Sequence, residues 1–187
     1  MNWYQKTKAP FYNDGKNIAI YEYLSLRKNP GMDSKARFIR EISYRLKNKE
    51  DLEAMEIAAN AMSKQVHSNS VLVPIPSSSG GTSVNLVLAE LIADKTGSRV
   101  IDVLSRTSPT QPLHQKRKTD GIKGPIDPDY HKMTVVGMDL LSELNKTQSV
   151  YLIDNVITSG STIDAARRTL NLPNAYGLAF SKAGGQL

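Results

Sequence analysis

Residues 150–163 read VYLIDNVITSGSTI, and this stretch decides which fold the sequence predicts. Its first four residues are aliphatic or aromatic, as in a strand that is buried on both faces. Asp154 and Asn155 come next, and we expect them at the carboxyl end of the strand. After two more aliphatic residues, five small ones form a predicted loop that opens a helix: Thr158, Ser159, Gly160, Ser161 and Thr162.

This loop of small residues suits a phosphate group. Backbone N–H groups point outward at the N-terminus of a helix, where the helix dipole also favours an anion. Gly160 allows a ligand to approach the backbone closely, and the hydroxyls on either side of it donate further hydrogen bonds. Because a carboxylate repels a phosphate, we expect Asp154 to face sugar hydroxyls or a metal ion. A phosphorylated sugar meets both requirements.

An interpretation without a ligand stays open at this point. Ser161 and Asp164 fit a capping box, which helices use whether or not a ligand binds. Asp154 alone fits a structural turn residue. The combination of strand, acid, amide and loop nevertheless favours phosphate binding, since ligands of α/β folds bind beyond the carboxyl ends of strands.

From residue 71 onward, strand patterns alternate with helix patterns. Strands are predicted over 71–76, 99–106, 149–154 and 175–183, and helices over 82–97 and 161–173. Such an alternation predicts an α/β fold with a mainly parallel sheet flanked by helices. The aliphatic strands, which lack a polar alternation, indicate a sheet that is covered on both faces.

Residues 1–66 lack this alternation and are predicted to form a mostly helical or irregular N-terminal segment. Two amphipathic helices are expected there, over 34–48 with Ser34 as the cap and over 49–66. We therefore divide the chain into this segment and a core domain, residues 67–187.

The composition is that of a soluble globular protein of one domain. The chain has 187 residues, of which 40% are hydrophobic and 22% charged. It contains no cysteine, which excludes disulfides and thiolate catalysis and fits a cytoplasmic location. It also lacks a long apolar run and a signal core, so we expect neither a membrane partner nor secretion. The net charge of +6 attracts phosphates of nucleotides, sugars or nucleic acids, or reflects a solvated surface.

The stretch VYLIDNVITSGSTI resembles the phosphoribosyl pyrophosphate signature of type I phosphoribosyltransferases. In that family a hydrophobic strand leads to two acidic residues, two aliphatic ones and a loop rich in Thr, Ser and Gly. VLVPIPSSSGGTSVNLVLAELIA, from residue 71, resembles the first strand and pyrophosphate loop of the ComF-like branch, including Asn85. LSRTSPTQPLHQKRKTDGIKG, from residue 104, is also similar to that branch. The resemblance covers roughly residues 70–183.

The resemblance implies a type I phosphoribosyltransferase-like fold, in which the N-terminal segment is a hood that selects the acceptor. Asp154 and Asn155 would contact the ribose hydroxyls, and Asp154 would also bind Mg²⁺. The loop 158–162 would hold the 5-phosphate. The pyrophosphate would lie against a second loop and a flexible basic segment, whose candidate contacts are Ser77, Ser78, Ser79, Gly80, Gly81, Arg106, Lys116, Arg117 and Lys118.

The implied function is binding of phosphoribosyl pyrophosphate with Mg²⁺ and transfer of the phosphoribosyl group to a nitrogenous acceptor, with release of pyrophosphate. Asn155 stands where the family usually has an acid, and the missing charge weakens the support for catalysis. A non-catalytic sensor of phosphoribosyl pyrophosphate or a nucleotide is therefore an alternative, for example in DNA uptake, with which ComF-like proteins are associated. A nucleic-acid-binding module with a basic N-terminus is a second alternative. Family members often form homodimers.

Two histidines, His114 and His131, lie in or near the flexible segment. Either fits a catalytic base, although a surface histidine without a chemical role is the commoner case. Together with His67 they show no metal-ligand spacing. The sequence does not identify the acceptor, because specificity resides in the hood and the loops.

Overall fold

The computed structural model describes residues 10–47, 51–77, 84–108, 119, 128–144 and 149–183. Within these ranges the strands are β1 (Tyr12–Asn13), β2 (Asn17–Tyr23), β3 (Val71–Pro74), β4 (Arg99–Val100), β5 (Leu104–Arg106), β6 (Met133–Val135), β7 (Val150–Ile157) and β8 (Tyr176–Ala183). The helices are α1 (Ser34–Arg45), α2 (Leu52–Met62), α3 (Val84–Thr96), α4 (Met138–Leu144) and α5 (Ser161–Leu170). Short 3-10 turns span Ser63–Gln65 and Pro128–His131.

Six of these strands form one sheet in the order β1-β2-β8-β7-β3-β4. In this order, β2, β8, β7, β3 and β4 each run parallel to the next strand. Strand β1 is antiparallel to β2 at one edge of the sheet. Strands β5 and β6 form a separate antiparallel pair. The structure therefore confirms the predicted α/β class with a mainly parallel sheet flanked by helices.

A hydrophobic core lies on each face of the sheet. Helices α1, α2 and α3 cover one face, where Met55 and Leu88 belong to the same buried cluster as Tyr151. Helix α5 covers the other face, where Ile163 belongs to the same buried cluster as Leu152. Because successive residues of a strand point to opposite faces, β7 needs apolar residues at every position of its first half. This double burial explains the unbroken aliphatic run that begins at residue 150.

The neighbouring strands β3 and β7 form a topological switch point. After β3 the chain passes through α3 to β4, on one side of β3, and after β7 it passes through α5 to β8, on the opposite side. The two crossover helices cover opposite faces of the sheet, as right-handed connections require. Strands β3 and β7 are therefore followed by helices on opposite faces of the sheet, and ligands of open α/β sheets bind in the crevice at such a point.

The N-terminal segment contributes strands to the same sheet. Strand β2 pairs with β8 from Asn17 to Tyr23, and α1 and α2 share a core with the sheet. The prediction of helices was right for α1 and α2, whereas β1 and β2 were missed. Strand β2 joins the sheet through β8, at the other end of the chain, and β1 pairs with β2. The predicted cap Ser34 was wrong, since the side chain of Asp33 accepts from the Ala36 amide at 2.8 Å. The predicted role of residues 1–66 as a hood stays a prediction.

A buried arginine fixes the N-terminal strands to helix α5. Arg167 donates from Nη2 to the carbonyl of Lys16 and to Oδ1 of Asn17, both at 2.7 Å. Its Nε donates to the carbonyl of Ala175 at 2.8 Å, and its Nη1 to Asp164 at 2.7 Å. The guanidinium thereby joins the turn before β2 to the segment before β8 and to α5.

Two further strand boundaries differ from the prediction. The strand predicted over 99–106 is divided, because β4 belongs to the large sheet and β5 pairs with β6 instead. Strand β7 is longer than predicted and ends at Ile157, because β8 pairs with it through Lys182.

Among the helices of the described ranges, none has the length and apolar character needed to cross a membrane.

A substitution at Gly177 tests how closely β8 packs against α5 and β2. A Cβ atom at Gly177 would lie 2.5 Å from Oδ1 of Asn17 and 2.8 Å from two side-chain carbons of Ile163. We expect Gly177→Ala to lower the free energy of unfolding by about 1–3 kcal/mol, as overpacking does. The measurement is urea denaturation. Gly31→Ala is the matched control, because a Cβ there meets nothing within 4 Å; equal stability of the two variants would contradict the packing argument.

Candidate functional site

The candidate site lies at the carboxyl ends of β3 and β7. Strand β3 ends at Pro74, which is opposite Ile153, whereas β7 continues to Ile157 beside β8. Asp154 is therefore inside β7, opposite Ala179, and not at the carboxyl end of the strand where it was predicted, because β7 continues for three more residues. Its position is nevertheless beyond the end of β3, so that one side of β7 is no longer paired there.

The carboxylate of Asp154 is held at one of its two oxygens. Oδ1 accepts from the amide of Asn155 at 2.8 Å and from Nδ2 of Asn85 at 3.3 Å. Asn85, in the first turn of α3, also donates to the carbonyl of Ile75 at 2.9 Å and so connects α3 to the end of β3. Among the described residues no hydrogen bond reaches Oδ2. Oδ2 is therefore the oxygen that can contact a ligand or a cation.

Burial raises the pKa of Asp154 to about 6, even though the Asn155 amide, Asn85 and the charge of Arg106 each act in the opposite direction. The carboxyl group thus changes charge just below neutral pH. A carboxyl group whose pKa is strongly shifted by burial is a candidate functional group.

The loop after β7 presents a helix N-terminus without a side-chain cap. Gly160 is the N-cap of α5 with φ 84°, a left-handed conformation that glycine adopts without strain. Within the described part of the chain the amides of Ser159, Gly160 and Thr162 have no acceptor, and that of Ser161 makes only a long contact of 3.5 Å to Oγ of Ser159. These N–H groups remain available to an anion.

The capping-box alternative is wrong. Ser161 is the first residue of α5 and not its cap, and its Oγ lies 3.0 Å from Oγ of Ser159. The carboxylate of Asp164 accepts from Arg167 at 2.7 Å instead of reaching back to the start of the helix. Apart from the long contact of the Ser159 hydroxyl with the Ser161 amide, the hydroxyls of the loop are therefore not used to cap the helix.

Arg106 connects two of the segments around the crevice. Its Nε donates to the carbonyl of Pro76 at 3.3 Å, and its Nη1 donates to the carbonyl of His131 at 2.7 Å. Ser77, partly buried, follows Pro76 directly at the end of β3. Arg106 is near enough to Asp154 for its charge to influence the pKa of that carboxyl group. The assignment of Arg106 and Ser77 to a pyrophosphate stays a prediction.

The remaining predicted contacts lie outside the described residues. They are Ser78, Ser79, Gly80 and Gly81 of the loop after β3, and Lys116, Arg117 and Lys118 of the basic segment with His114. Their assignment to pyrophosphate stays a prediction. Thr158 is exposed and Thr162 is partly buried, on either side of the glycine cap.

His131 is buried, so the interpretation as a surface histidine was wrong. Only 3% of its surface is exposed, because the turn 128–131 packs against α5. Its Nε2 lies 3.2 Å from Oγ of Ser161. Burial and the nearby charge of Arg106 lower the pKa of His131 to about 4, so that the ring is neutral near pH 7.

Lys182, near the end of β8, was missed by the sequence analysis. Its Nζ donates to the carbonyl of Thr158 at 3.3 Å, so a positive charge lies beside the loop. A signal for it was present, because a lysine near the carboxyl end of a parallel strand lies at the ligand-binding edge of the sheet.

The site offers one carboxylate to a metal ion. Within the described residues no group of three or more His, Cys, Asp or Glu side chains is arranged to hold a metal. Mg²⁺, however, commonly takes one or two carboxylates and completes its coordination with substrate phosphates and water. Oδ2 of Asp154 therefore fits a magnesium ion that is held jointly with a phosphorylated ligand.

A cavity of about 360 Å³ lies between the segment after β2 and helix α1. This segment starts at the carboxyl end of β2, which is the same edge of the sheet as the loop after β7. The cavity combines apolar, aromatic and charged side chains, namely Leu26, Met32, Arg37, Arg40, Glu41 and Tyr44.

A comparison of the chain with protein-family models found no match, and a comparison with curated proteins found none either. The functional assignment therefore depends on the geometry of the site and on the motifs in the sequence. Of the predicted residues that the structure describes, Asp154, Asn155, Ser77, Arg106 and the loop 158–162 lie at the carboxyl edge around β3 and β7.

The raised pKa of Asp154 predicts how stability depends on pH without Mg²⁺. In the unfolded chain an aspartate titrates near pH ~3.9, so between about pH 4 and 6 the folded state binds more protons. The contribution of Asp154 is therefore fully present below pH ~4 and is lost as the pH rises through about 6. We expect Asp154→Asn to match the wild type at pH 4 and to exceed it by about 3 kcal/mol at pH 7 in urea denaturation.

Asp94→Asn, an exposed change on α3, is the control for this comparison and should leave the pH profile of the unfolding free energy unchanged. If Asp154→Asn also keeps the wild-type profile, burial does not raise the pKa of Asp154.

Proposed function

We propose that the chain is a cytoplasmic type I phosphoribosyltransferase-like protein, closest to the ComF-like branch. It binds phosphoribosyl pyrophosphate with Mg²⁺ and transfers the phosphoribosyl group to a nitrogenous acceptor, releasing pyrophosphate. The observation that carries the proposal is the pairing of an uncapped helix N-terminus with the carboxylate of Asp154, both at the switch point between β3 and β7. A sugar that carries a phosphate is a ligand with both matching groups.

In this proposal the 5-phosphate lies in the loop 158–162. The amides of Ser159, Gly160 and Thr162 donate to its oxygens, and the hydroxyls of the loop add further donors. Lys182, beside Thr158, adds a positive charge at the rim. The ribose hydroxyls contact Asp154, which accepts hydrogen bonds, and Asn155, whose amide both donates and accepts.

The pyrophosphate lies toward the end of β3, near Ser77 and Arg106. Mg²⁺, when bound, supplies positive charge that offsets the negative charge of the pyrophosphate leaving group. Asp154 is the described residue that would hold it. Ionisation of Asp154 is required for this role, because a protonated carboxyl group has lost the charge that attracts a cation.

The chain's own residues orient the reactants and stabilise separated charge. The bond between ribose C1 and the pyrophosphate oxygen breaks, a bond from the acceptor nitrogen to C1 forms, and that nitrogen then releases a proton. Positive charge develops on the ribose ring between these events, and ionised Asp154 stabilises it. Asn155 adds no charge, so the stabilisation is weaker than with two carboxylates. The loop holds the phosphate end of the sugar in place, which supplies orientation.

The hood belongs to the same proposal. The cavity between the segment after β2 and α1 is large enough for a small heterocycle, and it offers an aromatic ring and two guanidinium groups, Tyr44, Arg37 and Arg40. We propose that this cavity selects the acceptor.

Binding is tested by isothermal titration with phosphoribosyl pyrophosphate and Mg²⁺. We expect the wild type to bind one ligand per chain, with an affinity that rises from pH 5 to 7 as Asp154 loses its proton. Asp154→Asn should weaken binding at least about tenfold, since a charged contact is lost, and Asp94→Asn should bind as the wild type does. Absence of heat at millimolar ligand, with a folded protein, would overturn the proposal.

The alternative is a non-catalytic sensor of phosphoribosyl pyrophosphate or a nucleotide, acting in a process such as DNA uptake. The observation that favours it is Asn155, which leaves a single carboxylate, Asp154, at the ribose. Hydrogen bonding by the amide supports binding of the ground state, whereas charge is needed chiefly when the ribose becomes cationic.

Turnover distinguishes the two functions. For a transferase we expect pyrophosphate release with at least one base from a panel, and Asn155→Asp should accelerate it about tenfold or more, because a second charge stabilises the cationic ring. Asn155→Ala is the matched control, which removes the hydrogen bonds without adding charge. Tight binding without any release, in both the wild type and Asn155→Asp, would establish the sensor instead.

A further inference from the structure

His131 lies against the loop that receives the phosphate in the proposed function. Its Nε2 is 3.2 Å from Oγ of Ser161, which is in turn 3.0 Å from Oγ of Ser159. The ring is buried, and the backbone of His131 is held by Arg106, which donates to its carbonyl at 2.7 Å. The imidazole and the two hydroxyls therefore form a continuous chain of three polar groups that ends inside the loop.

The charge state of the imidazole follows from its surroundings. Burial disfavours a cation, and Arg106 adds like-charge repulsion, so the pKa of His131 is lowered to about 4. A neutral imidazole carries a single N–H, on Nδ1 or on Nε2. Which nitrogen carries the proton decides whether His131 donates to Ser161 or accepts from it.

The two tautomers of His131 leave the proton of the Ser161 hydroxyl pointing in different directions. If Nε2 accepts, the single proton of the Ser161 hydroxyl is directed at the ring and cannot reach a ligand. If Nε2–H donates, Oγ of Ser161 is satisfied as an acceptor, and its own proton is free to point at Ser159 or at the crevice. A phosphate oxygen accepts hydrogen bonds, so only the second arrangement lets Ser161 donate to it.

We propose that His131 is a positioning residue, which donates from Nε2–H to Ser161. Because one hydroxyl proton is used in the Ser159–Ser161 bond, this leaves the other hydroxyl proton of the pair to donate to a bound phosphate. This inference rests on the proposed function, because it takes the loop as the phosphate site. It assigns His131 no proton transfer with the acceptor: the ring is buried, and its Nε2 is engaged with the loop.

Two variants separate the hydrogen bond from the volume of the ring. His131→Gln retains an N–H donor close to the position of Nε2, and His131→Leu fills a similar volume without a donor. With ribose 5-phosphate as the probe in isothermal titration, we expect His131→Gln to bind within about threefold of the wild type. His131→Leu should bind about tenfold more weakly, the effect of one lost hydrogen-bond donor on an anion. Equal affinity of His131→Leu and the wild type would overturn the inference.

The tautomer is measured directly by long-range ¹H–¹⁵N spectra of the imidazole at pH 7, with and without ribose 5-phosphate. We expect Nε2–H with the ligand bound, and the Nδ1–H form in the complex would overturn the inference even if a variant failed to fold. Ser161→Ala should shift the Nε2 resonance, since its partner is removed. If neither ribose 5-phosphate nor phosphoribosyl pyrophosphate binds to the wild type, the proposed function and this inference both fail. Binding together with the Nδ1–H form refutes the inference alone.

Discussion

The pairing of β3 with β7 is the constraint on which the site depends. Residues 71–74 pair in parallel with 150–153, and the ladder stops where β3 reaches its prolines. The ladder toward β7 ends with the bond from the Ile75 amide to the carbonyl of Ile153. Pro74 and Pro76, which have no backbone N–H, lie on the opposite side of β3 and cannot donate toward β4. Strand β7 continues beside β8 alone. Asp154 is thereby placed on a rigid strand but at an open edge, where its Oδ2 can meet a ligand.

The pKa of Asp154 reflects a balance between burial, which raises it, and hydrogen-bond donors and a positive charge, which lower it. Burial raises the pKa of Asp154, while hydrogen bonds from the Asn155 amide and Asn85 and the charge of Arg106 keep it from rising further. A second carboxylate at position 155 would add repulsion and raise that pKa again. Asn155 adds no such repulsion and therefore leaves Asp154 easier to ionise.

The two faces of the sheet serve the site in different ways. On the face covered by α5, Arg167 ties the start of that helix to the turn before β2, and His131 packs beside its first residue. On the other face, α3 supplies Asn85 to Asp154. The loop and the carboxylate are thus supported by separate helices, one from each core, and β3 and β7 hold these helices in fixed relation.

The sequence by itself determined the α/β class, strand β7, the loop 158–162 and helix α5, because aliphatic runs, small residues and helical periodicity are local properties of consecutive residues. Only the tertiary structure decided that Asp154 lies within its strand, that β2 joins the sheet, and that His131, Asn85 and Lys182 lie beside the site. These features depend on strand pairing and packing between residues far apart in the chain. A local pattern carries no information about which distant segment will bury a histidine or extend a strand. Both depend on the contacts that form when the sheet assembles.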